Sequence, residues 1–429
     1  MIEPILNQLR GKRILIAGFG REGKSSLRFI KRYLPDAEVS VADINPGVAA
    51  QLAAIDPALV FYSGAAYLDQ IASFDLLLKS PGLSLNKPLP NGVQLSSQTD
   101  LFMAAYHRQV IGISGTKGKS TSSALIYHML VSNGLPALLT GNMGFPCFDI
   151  IPELTAESIV VFELSAHQLE YVRHSPGTCV LLNIFEEHLD HFGSMEKYRA
   201  AKLNLIRYAG INDAVIVHQD LKNFVAESLS VIRTFPETID FPLPSALKAA
   251  HNRLNIEAAL HAVSFFGIEK EAALKSLSDF KALPHRLQYL GKSGGIHFYN
   301  DSIATIPEAV IAALRAIPQT NYLILGGFDR GIHYDKLVHY LLDNPVRVLF
   351  YTGKAGQRIA DMLKSSDYLG NLIAVENLAE VFAWLKQHAK TGETCLLSPA
   401  AASYDQYENF EQRGEVFSAL VKEFESFTG

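Results

Sequence analysis

Short, continuous apolar runs alternate with longer segments of helical periodicity along nearly the whole chain. Arg13–Ala17, Glu38–Ala42 and Phe74–Leu78 read as strands, and a helix runs through Tyr33 after the turn Gly18-Phe19-Gly20-Arg21-Glu22-Gly23. Strand, glycine turn, helix, strand opens a doubly wound sheet. The Pro/Asn/Gly/Ser-rich stretch Pro81–Ser97 reads as its exit and linker. A second group starts at Val110–Ser114, with a helix through Ser132. Further runs follow at Ser158–Leu164, Thr178–Ile184 and Ala214–His218, with helices at Ser194–Tyr208 and Asn252–Phe266. These runs do not alternate apolar with polar, as expected of strands buried on both faces. A third group has strands at Ile296–Tyr299, Tyr322–Leu325, Val346–Tyr351, Leu372–Val375 and Cys395–Leu397. Helices at Pro307–Ala316 and Ala379–His388 lie between them. The pattern predicts an α/β protein of three domains, 1–97, 98–283 and 284–429.

Composition narrows the function. The 429 residues are too many for one ordinary core. With 48% hydrophobic and 19% charged residues the chain is globular, not disordered. A net charge of -5 without a basic stripe argues against a nucleic-acid partner and leaves anionic ligands to local sites. Cys147, Cys179 and Cys395 are far apart and form no disulfide framework. Neither a signal-peptide pattern nor an apolar run near the ~18–20 residues of a membrane span is seen. The expectation is a cytoplasmic protein without membrane partners, acting as a monomer.

Candidate chemistry begins at Gly115-Thr116-Lys117-Gly118-Lys119-Ser120-Thr121, a glycine-rich loop between a strand and a helix expected from Ser122 onward. Glycines let backbone N–H groups close around phosphate oxygens, and the helix N-terminus adds positive potential. Lys119 would reach the β/γ-phosphates of a nucleoside triphosphate, and Ser120 or Thr121 would hold Mg²⁺. Ile113 stands where the standard spacing has a glycine. The Gly18/Gly20/Gly23 turn, with Asp43 closing the next strand, matches a dinucleotide fingerprint. It fits a nicotinamide dinucleotide, another nucleotide diphosphate or a purely structural turn. Glu163 ends an apolar strand where an acidic residue suits Mg²⁺, and His188 lies in a polar cluster ending another; a capping or surface role stays open for both. By spacing alone Lys202 is an ordinary helix-face lysine.

Taken together, these stretches resemble the Mur ligase family of ATP-dependent amide ligases over essentially the whole chain. The stretches are GTKGKST at Gly115–Thr121, Gly141-Asn142-Met143-Gly144, ELSAHQLE at Glu163–Glu170, Asn183–Asp190, YRAAKL at Tyr198–Leu203 and His251-Asn252. Leu283–Arg286, Asn300-Asp301-Ser302, Leu325–Gly327 and LLSPAAASYDQYENFEQRG at Leu396–Gly414 complete the set. The last resembles the branch that adds D-glutamate to UDP-N-acetylmuramoyl-L-alanine in peptidoglycan precursor synthesis, and the Asp-Asn-Pro-Arg motif of the diaminopimelate/lysine-adding branch is absent.

The resemblance implies a Rossmann-like first domain for UDP, a central P-loop-type ATPase domain and a Rossmann-like third domain for the amino acid. It implies that Gly20, Arg21, Glu22, Gly23, Asp43, Ser80, Pro81 and Gly82 hold UDP, and that Asn142 and His188 place the muramoyl-alanine end. Gly115 to Thr121, with Asn252, Asn255, Arg286 and Asp301, would hold ATP. Ser120, Thr121 and Glu163 would serve one Mg²⁺. His188 and a carbamylated Lys202 would serve a second. Lys119, Glu163, His188 and Lys202 would be catalytic, and Thr305, Arg330, Ser403 and Phe410 would bind D-glutamate. Two departures stand out: Ile303 follows Asn-Asp-Ser where the family often has Lys, and Arg330 takes the place of a Lys. A folylpolyglutamate synthase, a catalytically silent nucleotide-binding regulator and a dehydrogenase are the competing readings.

Overall fold

The computed structural model describes residues 2–85, 88–142, 145–225, 231–236, 251–280 and 284–424, with Asp190 and His251 known only by their backbone. Met143, Gly144 and the expected border at 283 lie outside the described residues.

Three sheets carry the fold. The first consists of β1 (Ile14–Ala17), β2 (Val39–Asp43), β3 (Val60–Ser63), β4 (Leu76–Lys79) and β5 (Gln94–Ser96). It is all parallel, in the order β3-β2-β1-β4-β5. The order reverses between β1 and β4, and ligands of doubly wound sheets bind at such a switch point. The second sheet has β6 (Val110–Ser114), β7 (Ala137–Gly141), β8 (Ile159–Glu163), β9 (Thr178–Leu181), β10 (Ala214–His218) and β11 (Val231–Phe235), again parallel, in the order β11-β10-β9-β6-β8-β7. The third has β12 (Gln288–Ser293), β13 (Ile296–Asn300), β14 (Tyr322–Gly326), β15 (Val348–Thr352), β16 (Asn371–Ala374) and β17 (Thr394–Leu397). Its order is β12-β13-β17-β14-β15-β16, with only the β12–β13 pair antiparallel. The central strands β1, β4, β6, β8, β9, β14 and β17 are buried along their whole length, as their unbroken apolar runs require.

The chain divides into two compact units, Met1–Phe280 and Lys281–Gly429. The expected border near 97 falls between two sheets of one unit. Phe29 of the first sheet's helix packs on Phe148 at 4.4 Å between ring centroids, and the neighbouring Ser25 and Arg28 donate to Asp149 at 2.7 and 2.9 Å.

Two local expectations need correction. Gln94–Ser96 is a strand on the edge of the first sheet, not linker, and Ser97 caps the helix Gln98–Tyr106 by accepting a 3.1 Å bond from Asp100 N. The helix after the phosphate loop begins at Lys119, not Ser122, so Lys119, Ser120 and Thr121 form its first turn. Among the described residues no helix is long and apolar enough to cross a membrane.

Candidate active site

The phosphate loop is held open from three sides. Asn183, just after β9, accepts from Thr116 N (2.9 Å) through its carbonyl and from Lys117 N (2.8 Å) through its side chain, and donates to Lys117 O at 3.0 Å. Buried Thr116 bonds the Tyr198 hydroxyl at 3.0 Å and the Phe185 backbone at 2.9 and 3.2 Å. Gly118 adopts φ +87°, and a Cβ there would lie 2.4 Å from Asn255 Oδ1, so only glycine fits. Asn255 also accepts from Ser122 Oγ at 3.3 Å and donates to Asn252 at 3.2 Å, which places both asparagines beside the loop.

Two lysines converge on this loop. Lys119 Nζ donates to Gly115 O and Thr116 O at 2.9 and 3.1 Å. Lys202, 1% exposed on the helix Met195–Arg207, donates to Gly115 O at 2.7 Å and lies over the Tyr198 ring. Burial, and then the nearby Lys119 charge, push the Lys202 amine well below its ordinary range. The reading of Lys202 from spacing alone missed this, because helical periodicity does not say which partner a buried lysine meets.

Glu163 ends β8, paired in register with Ile113 and Gly141. That pairing brings Asn142 to it: Asn142 Nδ2 donates to Glu163 Oε1 at 2.8 Å and Asn142 N to Glu163 O at 2.9 Å. The carboxylate is 0% exposed, and its Oε2 has no hydrogen-bond partner among the described residues. Val160, Val161 and Phe162 before it are equally buried. Three such side chains contribute roughly 5–9 kcal/mol, enough to offset the several kcal/mol that an incompletely paired buried carboxylate costs. A bare, buried carboxylate oxygen beside a phosphate loop suits a hard cation, so Glu163 with Ser120 and Thr121 fits Mg²⁺. Half-exposed His188 has φ +57° and packs its ring on His167 at 4.9 Å. Among the described residues no group of three or more His, Cys, Asp or Glu side chains is placed to hold a metal ion, and His188 and Lys202 both lie near the Tyr198 ring, at 6.1 and 4.9 Å.

At the first sheet's switch point the glycine turn meets the Ser-Pro-Gly loop. Ser80 Oγ donates to Gly18 O at 2.8 Å, and a Cβ on Gly23 would lie 2.1 Å from that same carbonyl. Asp43 accepts from Phe19 N and Asn45 N at 2.7 and 2.9 Å, fixing the turn against β2. Gly20, Arg21, Glu22, Pro81 and Gly82 flank this contact. Burial raises Glu22 to about 7, and its Oε2 has no partner among the described residues.

In the second unit, buried Asp301 accepts from Ser398 Oγ at 2.8 Å and Leu287 N at 2.9 Å. Burial raises it to about 7 against the pull of nearby Arg286. Arg330 is exposed and donates to Thr305 O at 3.0 Å, bringing those two together. The loops of Arg330 and Ser403 are neighbours through Phe328 N donating to Ala402 O at 2.9 Å. Ser403 is 2% exposed, and Phe410 opens the helix Phe410–Glu423 with its carbonyl bonded by Ser302 Oγ at 2.8 Å. Arg413 was not singled out from sequence. It is 4% exposed and donates to Ser302 Oγ, Ser302 O and Ala401 O at 3.0, 2.8 and 3.1 Å, tying these loops together. Ile303 donates its backbone N–H to His285 O at 3.1 Å.

Residues 113–280 match the Mur ligase middle domain and residues 285–401 the Mur ligase glutamate ligase domain. A UDP-N-acetylmuramoylalanine–D-glutamate ligase of Symbiobacterium thermophilum is 31% identical over 408 residues, 87% of this chain and 89% of that protein. The chain belongs to the Mur ligase family. Its fold is that of solved Mur ligases. MurC of Thermotoga maritima superposes with a TM-score of 0.59 at 18% identity, covering 96% of this chain and 99% of that one. MurF of the same organism, solved with ADP, gives 0.57 at 16% identity, covering 97% and 96%. At such identities the likeness establishes the Mur ligase fold alone.

Proposed function

We propose that this Mur ligase adds D-glutamate to UDP-N-acetylmuramoyl-L-alanine at the expense of ATP. The observation that carries the reading is the bare Oε2 of Glu163, fully buried one strand away from the phosphate loop. The name of the S. thermophilum relative and the SPAAASYDQYENFEQRG stretch support the choice of substrates.

Joining a carboxylate to an amine is uphill in water without activation. In this reading the γ-phosphoryl of ATP passes to the L-alanine carboxylate, giving an acyl phosphate and ADP. The D-glutamate amine attacks the acyl carbon, a proton leaves the nitrogen, and the tetrahedral intermediate expels inorganic phosphate. Two anions must meet, so the loop N–H groups, the helix N-terminus at Lys119 and the Lys119 ammonium offset their repulsion. Bound Mg²⁺ would add charge neutralisation, held by Glu163 with Ser120 and Thr121, and at a second position by His188 and carbamylated Lys202. Asn142 and His188 orient the acyl end. Asn252, Asn255, Arg286 and Asp301 contact ATP. Gly20 to Gly23, Asp43 and Ser80 to Gly82 bind UDP rather than NAD, and Thr305, Arg330, Ser403 and Phe410 take D-glutamate. The three-domain division 1–97, 98–283 and 284–429 follows these roles, in a monomeric cytoplasmic enzyme.

The test is mass spectrometry of the nucleotide product together with calorimetry. Incubation with ATP, Mg²⁺, D-glutamate and UDP-N-acetylmuramoyl-L-alanine should yield the nucleotide extended by one glutamyl residue. Binding of NAD with no response to the UDP nucleotide would overturn the reading.

A further inference from the structure

The turn Ser165–Glu170 follows directly on Glu163-Leu164 and reaches both loops of the first sheet's switch point. Its geometry is set by a capping box. Ser165 Oγ accepts from Gln168 N at 3.2 Å, and Gln168 Oε1 accepts from Ser165 N at 2.9 Å. With Oε1 so engaged, the amide of Gln168 has one orientation, and its Nε2 donates to Glu22 Oε1 at 2.7 Å. That is the grip on the glycine turn.

Glu170 grips the other loop at both ends. Its Oε2 lies 3.5 Å from Lys79 Nζ and 3.1 Å from His191 Nε2. Lys79, 4% exposed and seated over the Tyr171 ring, also donates to Ser80 O and Pro81 O, each at 3.3 Å. His191 Nδ1 meets Ser84 Oγ at 2.9 Å, so an Nε2–H tautomer donates to Glu170 and accepts from Ser84. One carboxylate thus ties down the residue before Ser80-Pro81-Gly82 and a residue after it. Because Lys79 is buried, its 3.5 Å ion pair with Glu170 is screened little by salt, while burial itself lowers the ammonium's pKa.

We propose that Ser165–Glu170 is a clamp that fixes the glycine turn and the Ser-Pro-Gly loop relative to Glu163, with Glu170 as its principal positioning residue. In the proposed reaction, the UDP end of the substrate binds those loops and its acyl end must reach the phosphate loop. A rigid link between Glu163 and the UDP loops sets that reach, and small misplacements cost much in rate. The inference rests on the proposed reading for the identity of the ligand, but not for the clamp itself.

The test uses the full chain with Glu170→Gln and with Lys79→Met/Glu170→Gln, the second because Glu170→Gln alone strands a buried ammonium. Calorimetry with UDP-N-acetylmuramoyl-L-alanine should show binding weakened about tenfold or more in both, with ADP affinity changed less than about twofold. In turnover, KM for the UDP nucleotide should rise while KM for ATP stays put, a split that general destabilisation would not give. Folded variants, checked by thermal melting, that bind the UDP nucleotide as the wild type does would overturn the clamp. If the wild type binds no UDP nucleotide, the substrate reading fails. The clamp is then judged by hydrogen exchange, which should quicken at residues 18–23, Ser80 and Gly82 in the double variant; unchanged exchange overturns it.

Discussion

Lys119 and Lys202 share one acceptor: both Nζ atoms donate to the Gly115 carbonyl, at 2.9 and 2.7 Å. Two ammonium groups at one oxygen repel, which adds to the burial that chiefly depresses the Lys202 amine. The arrangement asks for an anion. In the proposed reaction the transferring phosphoryl group would supply one at Lys119, and a carbamate on Lys202 would supply another.

Lys119→Ala should therefore abolish turnover and leave the fold intact. Its side chain donates to two carbonyls of its own loop, Gly115 O and Thr116 O. Steady-state rates alongside thermal melting check this. A near-wild-type rate would remove Lys119 from the chemistry.

Lys202 is expected to carry a carbamate in the active enzyme. A neutral, buried amine is the form that adds CO₂, and with loss of one proton it becomes an oxygen-ligand anion beside Lys119. Carbon-13 NMR after equilibration with labelled bicarbonate should show a carbamate that is absent from Lys202→Ala. No signal, with Lys202→Ala fully active, contradicts the assignment.

Arg330→Met should raise KM for D-glutamate about ten- to a hundredfold, the worth of one charge-assisted contact, and change KM for ATP little. Arg330 is exposed and donates to Thr305 O, so its loss should disturb the fold little. Arg can hold a carboxylate bidentately. An unchanged D-glutamate saturation curve would place Arg330 outside the site.

The contribution of Glu22 and Asp301 to stability should fall as pH rises from about 5 to about 8. Glu22 and Asp301 are raised by burial to about 7 from ordinary values of 4.5 and 3.8. Between those limits the folded chain holds more protons than the unfolded one, so each rise in pH favours unfolding until both are ionised. Glu22→Gln keeps the acceptor for Gln168 Nε2 and removes the titration. Denaturation midpoints across this range should decline less steeply in the variant, and an identical slope would contradict the burial of Glu22.

Much of this was legible in the sequence, for physical reasons that differ by residue. The central strands announced themselves because burial on both faces forbids polar interruption. The edge strands Gln94–Ser96 and Gln288–Ser293 did not, because an edge tolerates Gln, Ser and Lys and then resembles a loop, and Val60–Ser63 did not because it is only 4 residues long. The phosphate loop was legible because glycine and lysine are fixed there by sterics and charge. Lys79, Gln168, Glu170, Tyr198 and Arg413 take their meaning from partners far away in the chain, Arg413 from Ser302, 111 residues distant. No local pattern reports such pairings. The resemblance, by contrast, placed Lys202 in the site where spacing alone had left it on a helix surface.

Phosphate release decides between one choice of substrates and another. The protein is supplied with ATP, Mg²⁺ and UDP-N-acetylmuramoyl-L-alanine, and a panel of D- and L-amino acids is added one at a time. Release should require the UDP nucleotide and be strong with D-glutamate alone. Release with L-glutamate or another amino acid in its place, or release indifferent to the nucleotide, would contradict it.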